Sequence, residues 1–293
     1  MTNQNSSDLS ILDLENGVER LRIPVPGQPA GVAVHPASGN FFTVSPDSKT
    51  VRKFDLASGS EIAAITLDGG PIGIAVEPSG ARIFVSDWYN ARIWVIDADA
   101  MEVLTTLATG SAPAGLVVAA DGSWLASADR DANQVSIFDL DTLTLRRRVT
   151  VGERPFGVSV GPSGRIYSAN VGSNSVSVLD PQTGRIEGTV PVGDRPYGVA
   201  FAQGLGFVTN QYSDTVSVFD LKSLNVLSTI EVGEYPEGID VTADGQTIVV
   251  ANWFSNSVSL IDASEMRVIG EIETGDGPRA FGRFISAASA RRN

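Results

Sequence analysis

Short apolar runs rich in Val and Ile, alternating with polar residues and interrupted by Gly, Pro, Asn and Ser, fill the chain from end to end. In the stretch PFGVSVGPSGRIYSANVGSNSVSVLDPQTGRIEGTVPVGDR, residues 155–195, four such runs are separated by PSG, ANVGSNS and PQTG. Alternation with that punctuation predicts a four-stranded antiparallel meander, whose strands are named A to D in chain order. No stretch fits the i, i+3, i+4 spacing of a helix better than it fits alternation.

The meander recurs. A Pro followed by a small-residue step stands at Pro29, Pro71, Pro113, Pro155, Pro196, Pro236 and Pro278, at intervals of 42, 42, 42, 41, 40 and 42. An apolar run ending in Asp keeps the same beat at Asp13, Asp55, Asp97, Asp139, Asp180, Asp220 and Asp262. A four-stranded sheet cannot bury both faces by itself, whereas radial stacking covers each face with a neighbour and leaves only short edges. The expected fold is therefore an all-β, seven-bladed propeller and a single domain, with repeat units near 29–70, 71–112, 113–154, 155–195, 196–235 and 236–277. A closing blade combines 278–285 with 1–28.

Seven A, C and D strands can be counted, but only six B strands. Thr2-Asn3-Gln4 precedes Asp13 at the offset at which Thr209-Asn210-Gln211 precedes Asp220, so Met1 falls where a B strand is ending. The expectation is that a few strand residues, and a signal peptide before them, lie ahead of Met1.

Composition narrows the function. Thirty-four acidic against 21 basic residues give a formal charge of −13, with no cluster of cations, which disfavours nucleic acid. There is no Cys, so disulfides, thiolate metal sites and a Cys nucleophile are excluded, and the one histidine, His35, rules out a multi-histidine metal centre. No apolar run is long enough to span a membrane, and a monomer is expected.

The units VTNQYSDTVSVFD, SANVGSNSVSVLD and VANWFSNSVSLID, each followed by VGDRP, VGEYP or a near copy, resemble the YVTN family of β-propeller repeat proteins over essentially the whole chain. The resemblance implies an exported, periplasmic or extracellular propeller. Similar propellers serve as large subunits of quinone-dependent amine dehydrogenases, and others act as lactonases or lyases, so the fold does not select a reaction.

Most recurrent polar residues read as structural. The seven Asp residues precede C–D turns and suit acceptance of turn N–H groups. Gly31, Gly73, Gly115, Gly157, Gly198 and Gly238 open the innermost strand, where a Cβ would crowd the neighbouring blade. Asn3, Ser45, Asp87, Asp129, Asn170, Asn210 and Asn252 end the B strands. Seven oxygen donors on one face would suit Ca²⁺ if they turned to the channel, but the expectation is that they hold the next turn, with no metal or cofactor bound. His35, in an A–B turn, has no Ser and Asp placed for a triad, and Trp94 and Trp124 suit packing between blades.

The informative variation lies in the D–A and B–C loops, which share one rim of a propeller. Between Pro and Gly stand Ile72, Phe156, Tyr197 and Glu237, with Arg279 in the last copy, and just before Pro stand Arg154, Arg195 and Tyr235. The B–C loops add Trp88, Tyr89, Arg130, Tyr212, Trp253 and Phe254. Aromatic walls with Arg and Glu suit a pocket for a small molecule or a surface for a protein. The alternative is that the aromatics plug the channel and the Arg residues pair with Glu153, Asp194 and Glu234. Three functions follow. The first is a non-enzymatic binding or scaffold protein. The second is a lactonase- or lyase-like enzyme with Glu237 as acid or base and Arg154, Arg195 or Arg279 stabilising an anion. The third is a subunit of a quinone-dependent dehydrogenase.

Overall fold

In the computed structural model, which describes residues 1–286, six units form antiparallel sheets in the order A-B-C-D. The unit 236–277, for example, pairs Pro236–Val241 with Thr247–Asn252, then Ser257–Asp262, then Arg267–Glu273. The A strands meet one another around a central axis and the D strands form the perimeter, giving seven blades. Helix is confined, among the described residues, to two 3₁₀ turns, Pro36–Ser38 and Arg130–Ala132.

The apolar alternation does the assembling. In the second blade Ile83, Val85, Trp94 and Ile96 join a buried cluster with the first blade, whereas Phe84, Ile93 and Val95 on the opposite face join one with the third. Each of the seven interblade interfaces has such a cluster, and Trp124 lies in the one between blades three and four. The buried B and C strands thus derive their stability from neighbours, by the removal of apolar area from water on both faces.

D strands have one open edge, and exposed Ile62, Leu104, Leu227 and Ile269 lie on them. Every blade shifts its C–D register by a bulge at the same place, as at Val95/Ile96 and Val218/Phe219. A bulge twists the edge away from flat pairing and so guards it against strand addition.

The innermost glycines are close approaches. A Cβ at Gly73 would lie 2.2 Å from the Ala114 carbonyl oxygen, and one at Gly157 2.1 Å from that of Tyr197. Beside them, hydroxyls link blades: Ser86 Oγ accepts from Gly73 N (2.9 Å) and donates to the Ala114 carbonyl (2.7 Å), and Thr209 Oγ1 joins Gly198 N to the Glu237 carbonyl at 3.0 and 2.9 Å. Thr2 Oγ1 repeats this between Ala280 N (2.8 Å) and the Ala30 carbonyl (2.9 Å), so Thr2 is the geometric counterpart of Thr209 and the ring closes there.

Closure has one unforeseen feature. Thr2–Asn3 pairs with Asp8–Asp13, and Arg279 N donates to the Thr2 carbonyl, but beyond left-handed Ala280 the strand Phe281–Arg283 runs parallel to Gly31–Ala33 of the first blade. Gly282 permits it: its φ is +126°, and a Cβ there would stand 2.3 Å from the Val32 carbonyl oxygen. Half-buried Asp240 then accepts the Phe284 and Ile285 amides, fixing the segment to the sixth blade.

Candidate functional site

The recurrent carboxylates are engaged with turns. Asp97 Oδ1 accepts from Asp99 N (2.9 Å) and Ala100 N (2.8 Å), and Asp13, Asp55, Asp139, Asp180, Asp220 and Asp262 repeat the motif. These bonds hold all seven carboxyls below the usual range, Asp13 at about 2, where the Asn16 hydrogen bonds are the leading cause. The B-strand ends likewise serve their own blades. Asp87 accepts from Gly70 N and Arg92, Asp129 from Gly110 N and Ser136, and Asn170, Asn210 and Asn252 donate to C-strand hydroxyls. Ser45 is held by Arg52 and Asn3 binds Asp8 and Ser10, so these oxygens do not converge on one ion. His35 joins Ser38 and the Pro78 carbonyl between two A–B turns.

The rim residues divide into two layers. In the lower one, Phe156, Tyr197 and Phe281 converge with ring centroids 4.3 Å (Phe156–Tyr197) and 4.8 Å (Phe156–Phe281) apart. All three are buried, and with Ala114, Val171, Ile72 and Trp88 they form a cluster that occupies the channel mouth. The plug is a consequence of position: residues between Pro and Gly point to the axis, where seven strands converge. The channel instead opens on the A–B face as a funnel of ≈ 1000 Å³ lined mainly by Val, Ala and Gly of the A strands.

Beside the plug lies a buried polar cluster. Glu237, 4% exposed, accepts from Gln211 Nε2 at 2.6 Å, and its other oxygen lies 2.9 Å from Arg279 Nε. That last approach is an ion pair without hydrogen-bond alignment, since neither atom has a hydrogen-bonded partner. Arg279 also donates to the Tyr197 hydroxyl and to Gln4 Oε1, which receives the Trp253 indole N–H as well. Burial pushes the Glu237 carboxyl up, against the pull of Arg279. Glu237 is thus enclosed among Arg279, Gln211 and Tyr197, at the inner end of the funnel whose lining includes it.

The upper layer is accessible. Tyr212 and Phe254 are 55% and 57% exposed, and between them Tyr235 and Trp253 are half-buried. Centroids are 5.4 Å apart for Tyr212–Tyr235, 4.8 Å for Tyr235–Phe254 and 4.5 Å for Trp253–Phe254, so the rings form one continuous arc over blades five and six. Arg195 lies over Tyr212 at 4.2 Å and Arg130 over Trp88 at 5.4 Å. Burial raises Tyr235 to about 12, so the arc stays neutral there at physiological pH. Arg154 is exposed. Of the ion pairs expected for the rim arginines, those with Glu153, Asp194 and Glu234 do not form among the described residues, and Arg279 pairs with Glu237 instead.

Residues 204–287 match the family described as YNCE-like beta-propeller, and the repeat around them builds seven blades. That match spans under a third of the chain; over its whole length the chain is a seven-bladed β-propeller whose repeats resemble those of YVTN-type propellers. No curated protein sequence matches it. Among solved structures, this propeller is similar to hydrazine synthase of Kuenenia stuttgartiensis, with a TM-score of 0.79 and 16% identity over 87% of this chain and 89% of that one. It is also similar to a functionally unknown protein from Desulfotomaculum acetoxidans, with a TM-score of 0.80 and 15% identity over 94% and 95% of the two chains. At such identities the likeness is one of fold.

The residues that aim the upper layer escape the sequence reading. Arg154, Arg195 and Tyr235 have left-handed backbones, with φ of 51°, 53° and 59°, uncommon for such side chains. Each amide is held by the preceding blade's B–C loop: Arg154 N by Asn133 Oδ1 (2.8 Å), Arg195 N by Asn174 Oδ1 (3.0 Å) and Tyr235 N by Asp214 Oδ1 (2.8 Å). Asn256 does the same for Gly277, at 2.8 Å. A signal for these staples is present in the sequence: an Asn or Asp stands 21 residues before the position preceding Pro in each of the four.

Proposed function

We propose that this propeller is a non-catalytic scaffold that docks a protein partner on the rim of its D–A and B–C loops. The observation that carries this reading is the exposed arc Tyr212–Tyr235–Trp253–Phe254 with Arg195 stacked at its end. Tyr, Trp and Arg supply most of the binding energy at protein interfaces, and a contiguous exposed aromatic patch otherwise has a solvation cost with no return. The staples hold the loops before any partner arrives, which lowers the ordering entropy that association must overcome. At this rim the plug supports a protein over a small molecule, because Phe156, Tyr197 and Phe281 fill the space a deep ligand would take on that side of the channel. The engagement of Glu237 by Arg279 and Gln211 supports binding over turnover. An exported, periplasmic or extracellular location goes with this reading on the strength of the repeat resemblance, and fractionation of native cells tests it.

The test is site-specific photo-crosslinking in cells that express the chain natively, with p-benzoylphenylalanine at Phe254, Tyr212 or, on the opposite face, Ser163. Crosslinked partner from the first two positions, lost on Trp253→Ala, is the expected result. Crosslinks confined to Ser163 refute it.

A further inference from the structure

We infer that the rim over blades five to seven recognises a cationic, Lys- or Arg-bearing segment of its protein partner. This rests on the rim reading above and adds the partner's chemical class.

Charge is the first ground. Around the arc stand Asp194, Asp214, Glu234, Glu237 and Asp276 against Arg195 and Arg279, with Arg22 near Asp276; Arg279 is matched by Glu237 at 2.9 Å and Arg22 by Glu19 at 2.8 Å. Of the remaining carboxylates, Asp194 accepts from Asn174 and Asp214 staples Tyr235, but the side chains of Glu234 and Asp276 form no ion pair or hydrogen bond among the described residues. Those two sit on successive D–A loops that flank Tyr235, Trp253 and Phe254. An anionic segment laid along the arc would meet both carboxylates in turn. A cationic one would find its counter-ions in place.

The rings are the second ground. Aromatic faces carry negative potential and attract guanidinium and ammonium groups. The molecule already does this to itself, with Arg195 over Tyr212 at 4.2 Å. Aromatic faces interleaved with carboxylates hold both the charge and the methylene stem of a Lys or Arg side chain.

The test uses fluorescently labelled Gly-Ser peptides that carry Lys, Glu or Gln at the same alternate positions, read by anisotropy against the full chain. The Lys peptide is expected to bind at least about tenfold more tightly than the Gln peptide, with affinity falling as salt rises. Phe254→Ser, Trp253→Ala and the double variant Glu234→Lys/Asp276→Lys are each expected to weaken it by about tenfold or more. Glu15→Lys/Glu102→Lys, which changes net charge equally but away from the rim, should alter affinity by less than about twofold. Equal or tighter binding of the Glu peptide overturns the inference. So does an effect of Glu15→Lys/Glu102→Lys as large as that of the rim pair, since it would reduce the preference to net charge. If crosslinking at Phe254 persists while the Lys preference fails, the cationic class is wrong and the rim reading stands. If crosslinking at Phe254 is absent, the rim reading fails however the peptides behave.

Discussion

Replacing Arg279 by Leu removes the cation that faces Glu237 while leaving that carboxylate enclosed. Glu237 is 4% exposed and would keep only neutral donors, Gln211 Nε2 at 2.6 Å and the Tyr197 hydroxyl, with the more distant charge of Arg195, so its ionisation would lose its adjacent counter-ion. Breaking a buried pair by deleting one member costs about 3–5 kcal/mol, because the surviving charge can neither hydrate nor pair. For a chain of this length that corresponds to a fall in Tm of roughly 5–8 °C. The deficit should depend on pH with a defined sign. Burial already holds the Glu237 carboxyl above the ordinary Glu value of 4.5 in the folded state, and loss of Arg279 raises it further. A raised carboxyl favours the folded state below its unfolded pKa and loses that contribution as pH rises through the folded value. The deficit of Arg279→Leu should therefore be full near neutrality and shrink as pH falls toward 4.5. Urea denaturation at neutral and mildly acidic pH measures both. A deficit under about 1 kcal/mol at neutral pH, or one that does not shrink on acidification, would refute the claim that this pair is a buried charge cluster.

Gly73→Ala places a methyl 2.2 Å from the Ala114 carbonyl oxygen and should cost about 1–3 kcal/mol by overpacking, read by the same denaturation curves. Asp214→Ala removes the acceptor of the Tyr235 amide and should cost about 1 kcal/mol, with faster hydrogen exchange at Tyr235. Because the seven turn carboxyls have depressed pKa values, their contribution is present above the unfolded carboxyl range and is lost as pH falls toward 2, so Tm should drop steeply in that window. A flat Tm across it would contradict their role.

The blades, their strands and the turn Asp residues are legible in the chain because alternation and punctuation are local properties. Thr2 could be matched to Thr209 by offset alone, and the two hydroxyls make the same pair of bonds between blades. The division of the rim is not legible in this way. Phe156 and Tyr197 occupy the same repeat position as Glu237, and only the radial convergence of seven strands turns the first two into a plug and the third into the centre of a polar cluster. The staples from Asn133, Asn174 and Asp214 join adjacent blades at 21 residues' separation, so they appear only when that spacing is compared across units. The parallel course of Phe281–Arg283 depends on left-handed Ala280 and on Gly282, whose Gly falls two positions later than in the other blades.

The central claim, that partners dock on the aromatic rim, is tested most directly by hydrogen exchange of the chain free and bound to the partner captured through Phe254. Slowed exchange in loops 194–195, 211–214, 234–235 and 253–256, with the A–B turns 36–39, 78–81 and 161–164 unchanged, is the predicted result. Protection of those A–B turns with the rim loops unchanged would contradict it.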